Sequence, residues 1–123
     1  MKILVGFDGS HYSLNALLFA KKLAEALRAH LRVLIILPPD APHEQLVEKA
    51  REALGETKAE IEVVRAPPFA DSPASIIASH AERNGFNVII VGAKGIASRE
   101  DVNIGSTALW LAANAAATVI VVR

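Results

Sequence analysis

The chain has 123 residues, 52% of them hydrophobic but only 5% aromatic. It is one domain's worth of sequence, with a core built from Ala, Val, Ile and Leu. Lys plus Arg number 13 and Asp plus Glu number 13, so no global field exists for gripping nucleic acid or an anionic membrane. Cysteine is absent, which excludes disulfides, thiolate metal sites and cysteine nucleophiles.

Ile3-Leu4-Val5 is a short apolar run stopped by Gly6 and reads as a buried strand. Asp8 interrupts it too early for a signal peptide. Ser10 is an N-cap residue, and Leu14, Leu17, Leu18, Ala24 and Leu27 then recur at helical spacing. Val33 to Leu37 is a second buried strand, stopped by Pro38-Pro39. Asp40 is expected to cap the next helix. The apolar face of that helix is Leu46, Val47, Ala50 and Leu54, and Gly55 is its stop. Glu44, Glu48, Lys49, Arg51 and Glu52 form its solvated face.

Ile61, Val63 and Val64 make a third strand, ended by Pro67-Pro68. Ser72-Pro73 is an N-cap with proline at the first helical position. Ile76, Ile77, His80 and Ala81 give that helix its inner face, and Asn84-Gly85 closes it. Val88 to Val91 is a fourth buried strand, ending at Gly92. Positions 93–104 are polar and irregular. Gly105-Ser106 opens a helix containing Leu109, Leu111, Ala112 and Ala115, and Thr118 to Val122 is the fifth strand.

The order is βαβαβαβ-loop-αβ, within a single domain over residues 1–123. Strands joined by helices run parallel, with helices on both faces of one sheet. The fold class is therefore α/β, an open doubly wound sheet. The longest apolar runs, Val33 to Leu37 and Ala115 to Val122, are far short of the ~20 residues a membrane span needs. The expectation is a cytoplasmic protein without membrane or nucleic-acid partners.

In such sheets ligands bind beyond the carboxyl ends of the strands, where strand order reverses. Two strand ends carry suggestive residues: Gly6-Phe7-Asp8-Gly9-Ser10 after strand one, and Gly92-Ala93-Lys94-Gly95 leading to Gly105-Ser106-Thr107 after strand four. Glycines let a backbone approach an anion closely, and a helix N-terminus offers unpaired N–H groups at the positive end of its dipole. Ser106 and Thr107 add hydroxyls, and Lys94 or Arg99 adds charge. Spacing alone leaves open a phosphate cradle or a plain connecting loop. A Walker A loop is excluded, because Ile96-Ala97 follows Gly95, and no G-x-G-x-x-G follows strand one.

The combination nevertheless resembles the universal stress protein family. The resemblance rests on Lys2 to Val5 leading into Asp8-Gly9-Ser10, on Val88 to Gly92, and on Gly92-x-x-Gly95, nine residues, then Gly105-Ser106. The ending Ala116 to Arg123 is similar to that family's last strand. The glycine spacing is that of the family's ATP-binding branch. The resemblance implies a five-stranded sheet of order 3-2-1-4-5 and an adenine nucleotide, ATP or AMP or ADP, in the crevice between strands one and four. Any Mg²⁺ would be held by the phosphates. Gly92, Gly95, Gly105, Ser106 and Thr107 fall on the ribose- and phosphate-contacting positions. Asp8 falls on the acidic nucleotide-contacting position, with Gly6 and Phe7 beside it. Ile36 and Val91 match apolar pocket residues. The chain departs from the family in Pro38-Pro39, where an acidic residue commonly follows strand two, and in Ala117-Thr118, where a proline usually precedes the last strand.

Asp8 is read as serving the ligand rather than folding, against the alternative of a turn aspartate before Ser10. His11 reads as a surface residue, His80 as a packing residue, and Trp110 as a packing or interface residue. No histidine pair has metal-ligand spacing, and Ser10-His11 adjacency is no nucleophile–base geometry. Ser98 to Asp101 is either a flap over the ligand or a solvated loop. The expected function is a nucleotide-binding stress or regulatory module, with at most slow hydrolysis and no enzymatic role. The alternative is a non-binding dimeric interaction protein of the same fold. Strand order 3-2-1-4-5 leaves Thr118 to Val122 at an unprotected sheet edge, so a homodimer through this strand is expected.

Overall fold

The computed structural model describes residues 1–67, 69, 71–96 and 103–123. Its elements alternate as β1 (Lys2–Gly6), α1 (His11–Leu27), β2 (His30–Leu37), α2 (Glu44–Leu54), β3 (Glu60–Arg65), α3 (Pro73–Asn84), β4 (Val88–Gly92), α4 (Ser106–Asn114) and β5 (Thr118–Val122). The strands form one parallel sheet of order β3-β2-β1-β4-β5, as the family resemblance implied.

Side-chain alternation divides the core between the two faces of the sheet. Ile3 and Val5 of β1, Val33 and Ile35 of β2, and Ile90 of β4 pack with α1 and α2. Leu4, Leu34, Ile89 and Val91 pack on the opposite face with α3 and α4. β1 therefore lies mid-sheet with both faces covered, which is why Ile3, Leu4 and Val5 at its centre are all apolar and buried.

The starts of α1 and α3 have a local cause. Ser10 and Ser72 cap α1 and α3, their hydroxyls accepting from Ser13 N at 3.2 Å and Ser75 N at 3.3 Å. Three expectations need correction. Asp40 does not cap α2: Ala41 N donates to Pro38 O at 3.2 Å, closing a turn around Asp40, and His43 takes the cap position without a side-chain bond. The inner stripe of α1 is Ser13, Ala16, Leu17, Ala20 and Ala24, whereas Leu14, Leu18 and Leu27 are exposed. Small residues allow the helix to sit close on a sheet of branched side chains. In α4, Ala108 and Leu111 are buried and Leu109 is not.

Candidate functional site

The sheet order places the reversal of strand order between β1 and β4. The connection after β1 turns to one face and that after β4 to the other, so the two diverge and leave a crevice. A cavity of about 700 Å³ lies there, within the range that holds a small organic ligand. Gly6, Phe7, Asp8, Ile36, Val91, Gly92, Gly95, Gly105, Ser106 and Thr107 all line it. The structure thus brings these ten sequence-selected residues together, and Lys94 with them.

The β1–α1 connection is closed upon itself. Gly9 has φ +84°, a left-handed conformation that glycine adopts without a Cβ clash. Asp8 Oδ1 accepts from Ser10 N at 2.9 Å, and Asp8 N donates to Ser13 Oγ at 3.2 Å. The Ser13 hydroxyl in turn donates to Ser10 O at 3.1 Å. The turn role weighed for Asp8 is therefore observed. Its second oxygen reaches across the crevice and accepts from Ile96 N at 3.3 Å. Asp8 lines the cavity and also joins the two loops.

The β4–α4 connection is shaped by close approach. A β-carbon at Gly92 would stand 2.6 Å from the Tyr12 carbonyl carbon and 2.8 Å from Ser13 N. These are backbone atoms, so any side chain here would force β4 and the first turn of α1 apart. A β-carbon at Gly95 would stand 3.0 Å from Asp8 Oδ2. Gly105 N donates to Ala93 O at 2.6 Å, pinning the start of α4 to the end of β4. Gly105 holds the cap position of α4 and supplies no side-chain cap bond. The first-turn N–H groups, which have no partner within their own helix, thus begin at the cavity wall where Ser106 and Thr107 lie.

The lining is apolar on the sheet side, from Leu34, Ile36 and Val91, with Pro73 and Ile77 of α3 opposite. Asp8 and Lys94 are its charged members among the described residues. Lys94 Nζ lies 5.9 Å from the centroid of the Tyr12 ring. Arg99, and the Ser98 to Asp101 stretch with it, lie outside the described residues.

Sequence reading missed Leu34, Pro73, Ile77, Ile104 and Leu109 as lining residues. Leu34 was findable, since it lies two positions from Ile36 and shares its face. Pro73 and Ile77 were not, because their place depends on how α3 crosses the sheet. His11 is exposed and stands 3.4 Å from Asn15 Nδ2. With Ser10 Oγ engaged as a cap, these two side chains form no nucleophile–base pair. Among the described residues no group of three or more His, Asp or Glu side chains is arranged to hold a metal, and no helix is long and apolar enough to cross a membrane.

An open parallel sheet of this order, with a glycine-bordered crevice between its first and fourth strands, defines a class of doubly wound ligand-binding folds. A model of the universal stress protein family matches residues 1–123, and the chain belongs to that family. It is 26% identical over 148 aligned positions to universal stress protein YxiE of Bacillus subtilis (strain 168), covering 99% of this chain and 98% of YxiE. Among solved structures it is similar to a universal stress protein in complex with cAMP (25% identity, TM-score 0.82, 100% of this chain and 96% of that one). It also resembles in fold the universal stress protein from Archaeoglobus fulgidus in complex with dAMP (21% identity, TM-score 0.74, 100% of this chain and 98% of that one).

Proposed function

We propose that this protein binds an adenine nucleotide in the β1/β4 crevice and acts as a regulatory module rather than as an enzyme. The observation that carries the reading is the start of α4. Its cap residue has no side chain, its first turn borders the cavity, and the opposite wall is apolar. An apolar slot suits a purine, and an uncapped helix N-terminus with two hydroxyls suits a phosphate. A relative bound to cAMP supports this assignment. The nucleotide could be ATP, ADP or AMP, and any Mg²⁺ would be carried on its phosphates. The engaged state of Ser10 and the outward position of His11 favour binding over turnover. The test is mass spectrometry of small molecules released from the purified, denatured protein. An adenine nucleotide at near-equimolar amount is expected. Its absence, with no uptake when nucleotides are supplied, overturns the reading.

The two edges of the sheet favour a homodimer through β5. Edge strand β3 carries Glu60, Glu62 and Arg65, the charges that usually protect an edge. Edge strand β5 is Thr-Val-Ile-Val-Val and carries none. Pairing β5 with its two-fold copy would satisfy both open ladders. Sedimentation as a dimer at micromolar concentration is the expected result, and a monomer at high micromolar concentration contradicts it.

A further inference from the structure

Beneath α3, at the end of the sheet opposite the cavity, lies a polar cluster that the nucleotide reading does not use. His80 projects from α3 and is 5% exposed. Its ring stacks on buried Phe86 with centroids 6.1 Å apart. One nitrogen, Nε2, has two neighbours of opposite character. Arg32 Nη1 of β2 stands 3.0 Å away, and Glu62 Oε2 of β3 stands 3.3 Å away.

These two contacts cannot both be hydrogen bonds. A guanidinium only donates and a carboxylate only accepts, so Nε2 serves Arg32 as an unprotonated acceptor or Glu62 as a protonated donor. We propose that His80 is a pH-operated toggle: in the neutral ring, as its Nδ1–H tautomer, Nε2 accepts from Arg32 of β2, and in the protonated ring Nε2 donates to Glu62 of β3. The protonated state also sets a second cation against Arg32, which is held in turn by Glu60 at 3.1 Å.

The surroundings favour the neutral arm. Burial above all, and then the cations Arg32, Arg83 and Lys2, hold the His80 pKa below the ordinary imidazole range, while Glu62 opposes them. The charged groups acting on it are Glu62 of β3, Arg32 of β2, Arg83 of α3 and Lys2 of β1; Glu60 of β3 holds Arg32 and His30 of β2, α3 also carries Glu82, and β4 and α4 carry none. The sign follows from linkage. A histidine whose folded pKa is lowered binds protons more readily once unfolded, so its stabilising contribution is complete above the unfolded value and is lost as pH falls through the folded one. The consequence is a loosening of α3 on acidification, and α3 is also the helix that walls the cavity through Pro73 and Ile77.

The test uses the ligand-free whole chain. His80→Gln places an amide at the same site, whose oxygen accepts from Arg32 while its nitrogen donates to Glu62, so both ties hold at every pH. The urea midpoint of the wild type should fall between about pH 8 and pH 5, and His80→Gln should remove a substantial part of that fall. His30→Gln, the control at the neighbouring imidazole, should keep the His80 part. Proton NMR of the wild type should show the His80 ring titrating below free imidazole, and lower still in Glu62→Gln. Equal pH dependence in wild type and His80→Gln, or a His80 ring that titrates at or above the ordinary value, overturns the proposal. If His80→Gln does not fold, the NMR titration decides alone.

Discussion

Two connections meet at the carboxyl end of this sheet, and they are built on opposite plans. After β1 the chain satisfies its own helix start: Ser10 caps α1, Asp8 braces Ser10, and Ser13 returns a hydrogen bond to the turn. After β4 the chain leaves its helix start without a side-chain cap and places glycine there instead. A capped N-terminus has already given a donor to its own side chain. An uncapped one beside a cavity retains donors and dipole for an anion. Under the proposed function, the first connection is the scaffold and the second the receptor, with Asp8 Oδ2 on Ile96 N joining them.

That contrast can be broken at defined positions. Gly105→Val has the largest expected effect. Gly105 lies at φ −74°, ψ 167°, an extended conformation open to any residue. Valine there would add a branched side chain at the buried start of α4, so nucleotide affinity should fall below detection by calorimetry, with a native circular dichroism spectrum as the check that the loss is local. Asp8→Ala comes next. Loss of a charged hydrogen bond typically costs about 1.5–3 kcal/mol, or roughly ten- to a hundred-fold in affinity. Because Asp8 also holds Ser10 N and Ile96 N, this variant should lose some apo stability as well, seen as a lowered urea midpoint. An intact midpoint would assign Asp8 to the ligand alone.

Gly92→Ala acts on the seam between the two connections. Its β-carbon meets the α1 backbone, and forced overpacking costs about 1–3 kcal/mol. Stability should drop by that order in urea denaturation, whether or not ligand is present. Ser10→Ala is the mildest change. Removing a helix cap costs about 1 kcal/mol, and nucleotide affinity should be unchanged, because the α1 cap belongs to the scaffold. A loss of affinity there without loss of stability would reverse the roles assigned to the two connections.

The fold was largely legible in the sequence because β-branched runs and caps coincide. Val88 to Val91 is apolar throughout and lies buried, while Ser72-Pro73 marks the start of α3 to the residue. Strand order was not legible from periodicity, which says nothing about which strands pair; it came from the glycine pattern and its resemblance. The misreading of the α1 face has one cause. Leu14, Leu18 and Leu27 were counted in the apolar series of α1, yet Ser13, Ala16, Ala20 and Ala24 join Leu17 at its contact with the sheet. The glycines of the site were legible because close approach leaves a residue-type trace: only glycine fits at position 92. Pro73 and Ile77 leave no such trace, since an apolar wall residue looks like any core residue.

The most direct test of the central claim is isothermal titration of wild type and Gly105→Val, side by side, with AMP, cAMP and ATP in the presence of Mg²⁺. Saturable binding of at least one adenine nucleotide to the wild type, at one site per chain, and none to a natively folded Gly105→Val, is the predicted result. Equal affinity in the two proteins, or no binding of any adenine nucleotide to the wild type, would contradict the assignment of the α4 start as the receptor.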